Sequence, residues 1–205
     1  GKSTIVNLLC RFYEPKKGVI KIDGVDIRKR SLGWLHSSLG YVLQDPHLFI
    51  GTVADNIRYG KLDATDQEIM EAAKIVNAHD FIMKMEHGYA SDVGEGGSRL
   101  STGEKQLISF ARAIIADPAI FVLDEATASI DTENERIIQR AISKVLKNRT
   151  AFVVAHRLST IVQADKILVI DKGRIIEQGT HKELMASKGH YFELYTNQFS
   201  KKILD

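Results

Sequence analysis

The feature that most constrains this chain is the apolar run Ala119-Ile120-Phe121-Val122-Leu123, which ends on two acids, Asp124 and Glu125. A strand that is apolar at every position is buried on both faces, and such strands belong to sheets covered by helices on each side. Ala151 to Ala155 and Ile167 to Ile170 read as two more buried strands, and Leu39 to Leu43 as a short one ending at Gln44. Helical patterns alternate with these runs, which predicts an α/β layer structure.

Local signals place the helices. Residues 3–13 are apolar at Ile5, Val6, Leu8, Leu9 and Phe12, and Glu14-Pro15 stops that helix. Thr65 with Glu68 forms a capping box ahead of a helix to about Ala78, and Ser101 with Glu104 forms another ahead of a helix to about Ala116. Thr132 with Glu135 caps a third, and the tail from Thr180 with Glu183 through Phe199 is helical and amphipathic. Asp23-Gly24, between Val19–Ile22 and Val25–Ile27, supplies the positive φ values of a hairpin turn. Residues 86–100 are rich in glycine and read as a loop.

Length and composition exclude several classes. The 205 residues fit one domain, and 44% hydrophobic with 26% charged residues is ordinary for a globular chain, so collagen, a disulfide miniprotein and a disordered tail are ruled out. A net charge of +2 gives no electrostatic case for nucleic acid. Cys10 is the single cysteine and has no partner for an internal disulfide. No apolar run approaches the ~18 residues of a membrane-spanning helix.

Three groups of residues carry chemistry. Gly1-Lys2-Ser3-Thr4 matches the end of a phosphate-binding loop, where Lys2 would meet the β- and γ-phosphates and Ser3 a Mg2+ ion. Taken alone, those four residues are better explained as an ordinary helix start. Asp124-Glu125 after an apolar strand is how a nucleotide hydrolase sets a metal-binding carboxylate at the carboxyl edge of its sheet, with Glu125 polarising the attacking water. Leu100 to Gln106 is a capped helix start, and a Ser hydroxyl with a Gly amide at a helix N-terminus also forms an anion site suited to a γ-phosphate. Both readings of that segment hold together.

From these residues the chain resembles the ATPase domain of ATP-binding cassette (ABC) exporters of the multidrug/lipid type, from Gly1 to about Phe199. The motifs stand in the family's order. They are the phosphate-loop remnant Gly1 to Thr4, the glutamine loop Tyr41 to Asp45, the signature Leu100 to Gln106, and the acidic strand Phe121 to Thr127. The D-loop Ala128 to Asp131 and the switch histidine His156, within Val154 to Ser159, follow. Gly51 to Gly60 is similar to the exporter segment after the glutamine loop, and Ser91 to Gly97 to the exporter loop before the signature.

The resemblance implies a P-loop fold with a mainly parallel core sheet, a small antiparallel lobe and a helical subdomain. Residues 1–205 would form one ABC ATPase domain, with about 45–116 as the glutamine loop and helical subdomain. It implies ATP and Mg2+ as cofactors. Glu125, His156 and Gln44 are the expected catalytic residues. Gly1, Lys2, Ser3, Thr4, Gln44, Ser101, Gly103, Glu104 and Asp131 are expected to hold the nucleotide, and Ser3, Gln44 and Asp124 the metal.

It further implies that two such domains pair head to tail around two ATP molecules, at the cytoplasmic face of a membrane. The loops 45–52 and 91–97 would meet transmembrane domains. Export of a substrate is the implied activity; the alternative is an ATP-gated, slowly turning half of a heterodimeric transporter. The signature departs from the family pattern at Thr102 and Glu104, and the D-loop at Ile130. Thr102 brings a β-branched side chain where a glycine is usual. Glu104 brings a charge that, at ~5 Å and an effective dielectric of ~20, repels a phosphate charge by ~3 kcal/mol before screening. A working but weakened signature is expected. The remaining histidines, His79, His87, His181 and His190, are expected at the surface, and His36 and His47 receive no role.

The family's module begins before Gly1, so the resemblance also leads to the expectation of a longer polypeptide. An aromatic that stacks on adenine, the opening strands and the start of the phosphate loop would precede these residues. A segment lacking that central strand would be unstable on its own, at roughly 1–3 kcal/mol for each unpaired buried group.

Overall fold

A computed structural model describes residues 1–43, 45–124, 132–147, 149–154 and 161–202. The first helix, α1 (Lys2–Leu9), is shorter than its apolar pattern predicts. Arg11 takes a left-handed φ of 56° just beyond it. The Arg11 guanidinium donates to Glu14 and to the carbonyls of Ile27 and Arg30. Those long-range bonds end the helix before Pro15 does, and they leave Phe12 exposed instead of on a helix face.

A small hairpin follows, β1 (Lys21–Ile22) with β2 (Val25–Asp26), antiparallel as expected. Asp23 and Gly24 sit at φ 49° and 78°, the two left-handed positions its turn needs. Helix α2 (Leu32–Ser37) leads into β3 (Leu39–Val42). The chain then makes a helical excursion through α3 (Val53–Arg58), α4 (Asp66–Ile75), α5 (His79–Lys84) and α6 (Thr102–Ile115) before β4 (Ile120–Asp124). Asn77, at φ 59°, ends the α4 region and lets α5 start in a new direction. Helix α7 (Thr132–Leu146) carries the chain to β5 (Thr150–Val154); the cap expected from Thr132 and Glu135 lies outside the described side chains.

Strands β3, β4 and β5 form a parallel sheet in that spatial order, with Tyr41 opposite Val122 and Val122 opposite Phe152. The parallel pairing requires the long crossovers that α3–α6 and α7 provide. Strand β4 is buried from Ile120 through Leu123, as its continuous apolar run predicts. Phe121 and Leu123 join the large core with Ile108, Phe110, Ile142 and Val145 of α6 and α7. Val122 points the other way, into a second core with Val6, Leu9, Cys10 and Val154. So α1 covers one face of the sheet, and α6 and α7 the other.

Two strand expectations need correction. Strand β5 is buried at Val154 but exposed at Thr150 and Phe152. Residues 167–170 belong to β6 (Ile167–Asp171), which pairs antiparallel with β7 (Arg174–Gly179), a strand the sequence reading did not name. Val169 packs on Leu184 and Tyr191, while Leu168 on the other face is exposed, so β6 is buried on one face only. The helical tail is two helices, α8 (His181–Ser187) and α9 (His190–Lys202), broken at Lys188 by a left-handed φ of 52°. The second needs its own cap, and Glu177 supplies it by accepting from the amides of His190 and Tyr191.

Close approach fixes one glycine. A Cβ on Gly60 would overlap the carbonyl oxygen of Arg112 and press on Ile115. Gly60→Ala is therefore expected to push α3 away from α6 and to cost about 1–3 kcal/mol, as overpacking does. Denaturant unfolding of the wild-type and variant domains checks this, and an unchanged midpoint would contradict it.

Candidate functional site

Helix α1 runs against the strands so that its first turn lies at their carboxyl ends. Val6 packs on Val122 and Val154, and Lys2, Ile5 and Val6 border one groove together with Val153 and Val154. Lys2, Ser3 and Thr4 are exposed. Gly1 is the N-cap, no side chain caps the helix, and no acid stands in its first turn. The amides of a helix start carry a partial positive charge that favours an anion.

The contrast with α6 is sharp in chemical terms. Ser101 accepts from the Glu104 amide at 3.3 Å, while the Glu104 carboxylate accepts from both the Ser101 amide (2.8 Å) and the Ser101 hydroxyl (2.9 Å). The anion at this helix start is the chain's own Glu104. Gly103 is buried, and Thr102 is exposed as the first helical residue.

Asp124 lies two residues beyond Val122 and so shares the face of the sheet that α1 covers. Burial first, and then the charge of Asp124, push the Tyr41 hydroxyl above its usual pKa; Tyr41 stands on that same face. Asp124 thus ends the central strand on the face that α1 covers. Gln44, Glu125, Asp131 and His156 lie outside the described residues.

The groove that Lys2 borders has a volume of about 2060 Å3 and extends along β5 and β6 as far as Ser101, Gly103 and Glu104. A small-molecule pocket is usually about 300–1,000 Å3, so the opening is a cleft rather than a closed pocket for one nucleotide.

The two loops expected to meet a partner lie side by side. Val53 donates to the Ser91 carbonyl, Val93 donates to the Gly51 carbonyl, and Thr52 bridges Asp92. Phe49, Ile50, Tyr59 and Leu43 are exposed nearby, Ile50 to 77%. A groove of about 620 Å3 runs beside them, bordered by Leu43, Pro46, Phe49 and Arg112.

Two histidines differ from expectation. His79 bonds the Tyr89 hydroxyl at 3.0 Å and His181 bonds that of Tyr191 at 2.8 Å, both half-buried, while His87 and His190 are exposed as expected. The sequence reading also passed over Asn56 and Arg112, which tie 47–52 to α6. The Thr52-x-x-Asp55 capping box was a readable signal that a helix starts there and carries Asn56 inward.

A parallel sheet with helices on both faces and an acid at the carboxyl end of its central strand is the architecture of a nucleotide-binding α/β domain. Residues 1–128 match the ABC transporter family model, and the chain belongs to that family. It is 51% identical over 201 residues to an uncharacterized ABC transporter ATP-binding protein, YfiC, of Bacillus subtilis, covering 98% of this chain and 33% of that one. It is 52% identical over 198 residues to a Staphylococcus aureus protein described as a multidrug export ATP-binding/permease protein, covering 97% of this chain and 34% of that one. A solved structure of a bacterial Atm1-family ABC exporter with ATP bound superposes with a TM-score of 0.90 at 45% identity, over 97% of this chain and 35% of that one. The chain spans about a third of the length of the curated relatives it matches.

Proposed function

We propose that this chain binds and hydrolyses ATP in a head-to-tail pair of such domains, and that hydrolysis drives export of a substrate across a membrane. The observation that carries this reading is the parallel sheet whose central strand ends on Asp124, with α1 packed on one face, in a chain of this family. Lys2 holds the β- and γ-phosphates, with the first amides of α1 donating to the phosphate oxygens. Ser101 and Gly103 of the second copy meet the γ-phosphate from the opposite side.

The donor set fits Mg2+. Ser3 and Asp124 offer hard oxygen ligands of the kind Mg2+ takes. Ser3, Asp124 and Gln44 would hold the ion, which would neutralise charge on the phosphate oxygens. Glu125 takes the proton of the attacking water, His156 donates to the γ-phosphate, and Asp131 helps to close the pair.

The surface formed by 45–52 and 91–97 is where transmembrane domains would dock. Its exposed Phe49 and Ile50 support that reading. No helix among the described residues is long and apolar enough to cross a membrane. In this reading translocation belongs to the transmembrane domains, with this domain on the cytoplasmic face of the membrane.

The Ser101–Glu104 contact favours slow engagement of the signature, in the direction of the ATP-gated alternative. Glu104→Gln removes the charge and loosens the grip on the Ser101 hydroxyl. ATP-dependent pairing is expected to strengthen several-fold, while the α6 cap weakens by about 0.5–1 kcal/mol. Light scattering across an ATP titration checks this; weaker pairing in the variant would contradict it.

The proposal as a whole is tested by phosphate release from the full-length protein in lipid vesicles with ATP and Mg2+. Sustained turnover supports a motor. ATP binding without turnover contradicts the motor and leaves the gated module.

A further inference from the structure

Arg112 sits on α6 eleven residues beyond Ser101, roughly 16 Å along the helix at 1.5 Å per residue. It forms no salt bridge among the described residues. Its guanidinium spreads over backbone instead. Nε donates to the Asn56 carbonyl (2.8 Å), Nη2 to Asn56 Oδ1 (2.7 Å) and Nη1 to the His47 carbonyl (3.0 Å). The same group lies 5.0 Å from the centre of the Phe49 ring.

Asn56, only 1% exposed, completes the link. Its Nδ2 donates to the carbonyls of Phe49 (2.9 Å) and Thr52 (3.0 Å), and its Oδ1 accepts from the Phe49 amide (2.8 Å). The backbone of 47–52 is therefore held at three residues by one cation on α6 and one amide on α3. A planar fork of donors fixes direction as well as distance, which a lysine ammonium does not. Displacement of α6 along its axis would break these bonds unless the segment moved with it.

We propose that Arg112 is a positioning residue that makes 47–52 move as one body with α6, relaying nucleotide engagement at Ser101 to the surface that meets the membrane half. This rests on the reading that Ser101 meets ATP and that 45–52 faces transmembrane domains. Arg112 touches neither nucleotide nor metal in that scheme.

Hydrogen exchange on the full-length protein in lipid vesicles tests it, comparing the nucleotide-free state with Mg2+, ATP and vanadate. In wild type, protection is expected to rise together at 101–106 and at 47–52. In Arg112→Lys, the response at 101–106 is expected to persist while that at 47–52 is lost, with the Phe49 amide exchanging roughly tenfold faster. A purely structural role would weaken both regions alike. Arg112→Gln, which keeps an amide donor, is measured in parallel and serves if the lysine variant does not fold; the same split is expected. Variants that keep the nucleotide response at 47–52 overturn the relay alone. A wild-type protein whose 47–52 segment ignores nucleotide overturns the relay and the docking reading together.

Discussion

Replacing Glu125 by glutamine is expected to lower ATP turnover by roughly 100- to 10,000-fold, the range a positioned general base contributes. The residue follows Asp124 at the carboxyl end of β4. Alternation along the strand puts Asp124 on the face that α1 covers, so the acids of this pair meet different tasks. In the proposed scheme Asp124 would hold the cation with Ser3, and Glu125 would take a proton from water. Glutamine keeps size and polarity but takes no proton at neutral pH. Binding is unaffected by that loss, so the variant is expected to accumulate as an ATP-bound pair of domains. Phosphate release and size-exclusion chromatography with ATP read the two halves of the expectation. Normal hydrolysis by the variant would remove Glu125 from the role of base.

Lys2→Ala is expected to weaken ATP binding by about 100-fold. Two charge-assisted hydrogen bonds to phosphate at about 1.5–3 kcal/mol each account for at least that much, at 1.4 kcal/mol per factor of ten. The folded domain should hardly notice the change. Lys2 is exposed at the first position of α1, makes no ion pair with the described residues, and lies above the Val6–Leu9 contact with the sheet. An exposed substitution of this kind usually shifts stability by less than about 0.5 kcal/mol. Isothermal calorimetry with ATP, alongside a thermal melt, separates the two effects. An unchanged dissociation constant would mean that α1 does not receive the phosphates.

What could be read in the sequence was local. The boxes Thr65/Glu68, Ser101/Glu104 and Thr180/Glu183 all form as expected, because both partners lie within one helical turn. The Asp23-Gly24 turn and the all-apolar β4 were legible for the same reason: the backbone geometry and the burial are written in adjacent residues. The misses are long-range. The end of α1 is set by carbonyls of Ile27 and Arg30 acting on Arg11, and nothing near residue 11 announces them. Strand β7 is mostly exposed and carries no alternation, so only its ladder with β6 reveals it. The Asn56–Arg112 link joins residues 56 positions apart.

The site shows the same division. The residue types at Lys2, Ser3, Ser101 and Asp124 could be chosen from short motifs. The Ser101–Glu104 contact follows from the capping-box spacing. That 51–53 borders 91–93 is a matter of tertiary folding and is not written in spacing.

The central claim is that each ATP is held between the Lys2 of one copy and the Ser101 of another. It is tested most directly by pairing two damaged copies in the full-length protein, one carrying Lys2→Ala and the other Ser101→Ala, purified through two different tags. Head-to-tail pairing leaves one intact site in each mixed dimer, so hydrolysis at about half the wild-type rate is predicted, with each variant alone far lower. Mixed dimers as inactive as either variant alone would mean that Lys2 and Ser101 serve the same copy's nucleotide, and the head-to-tail account would be wrong.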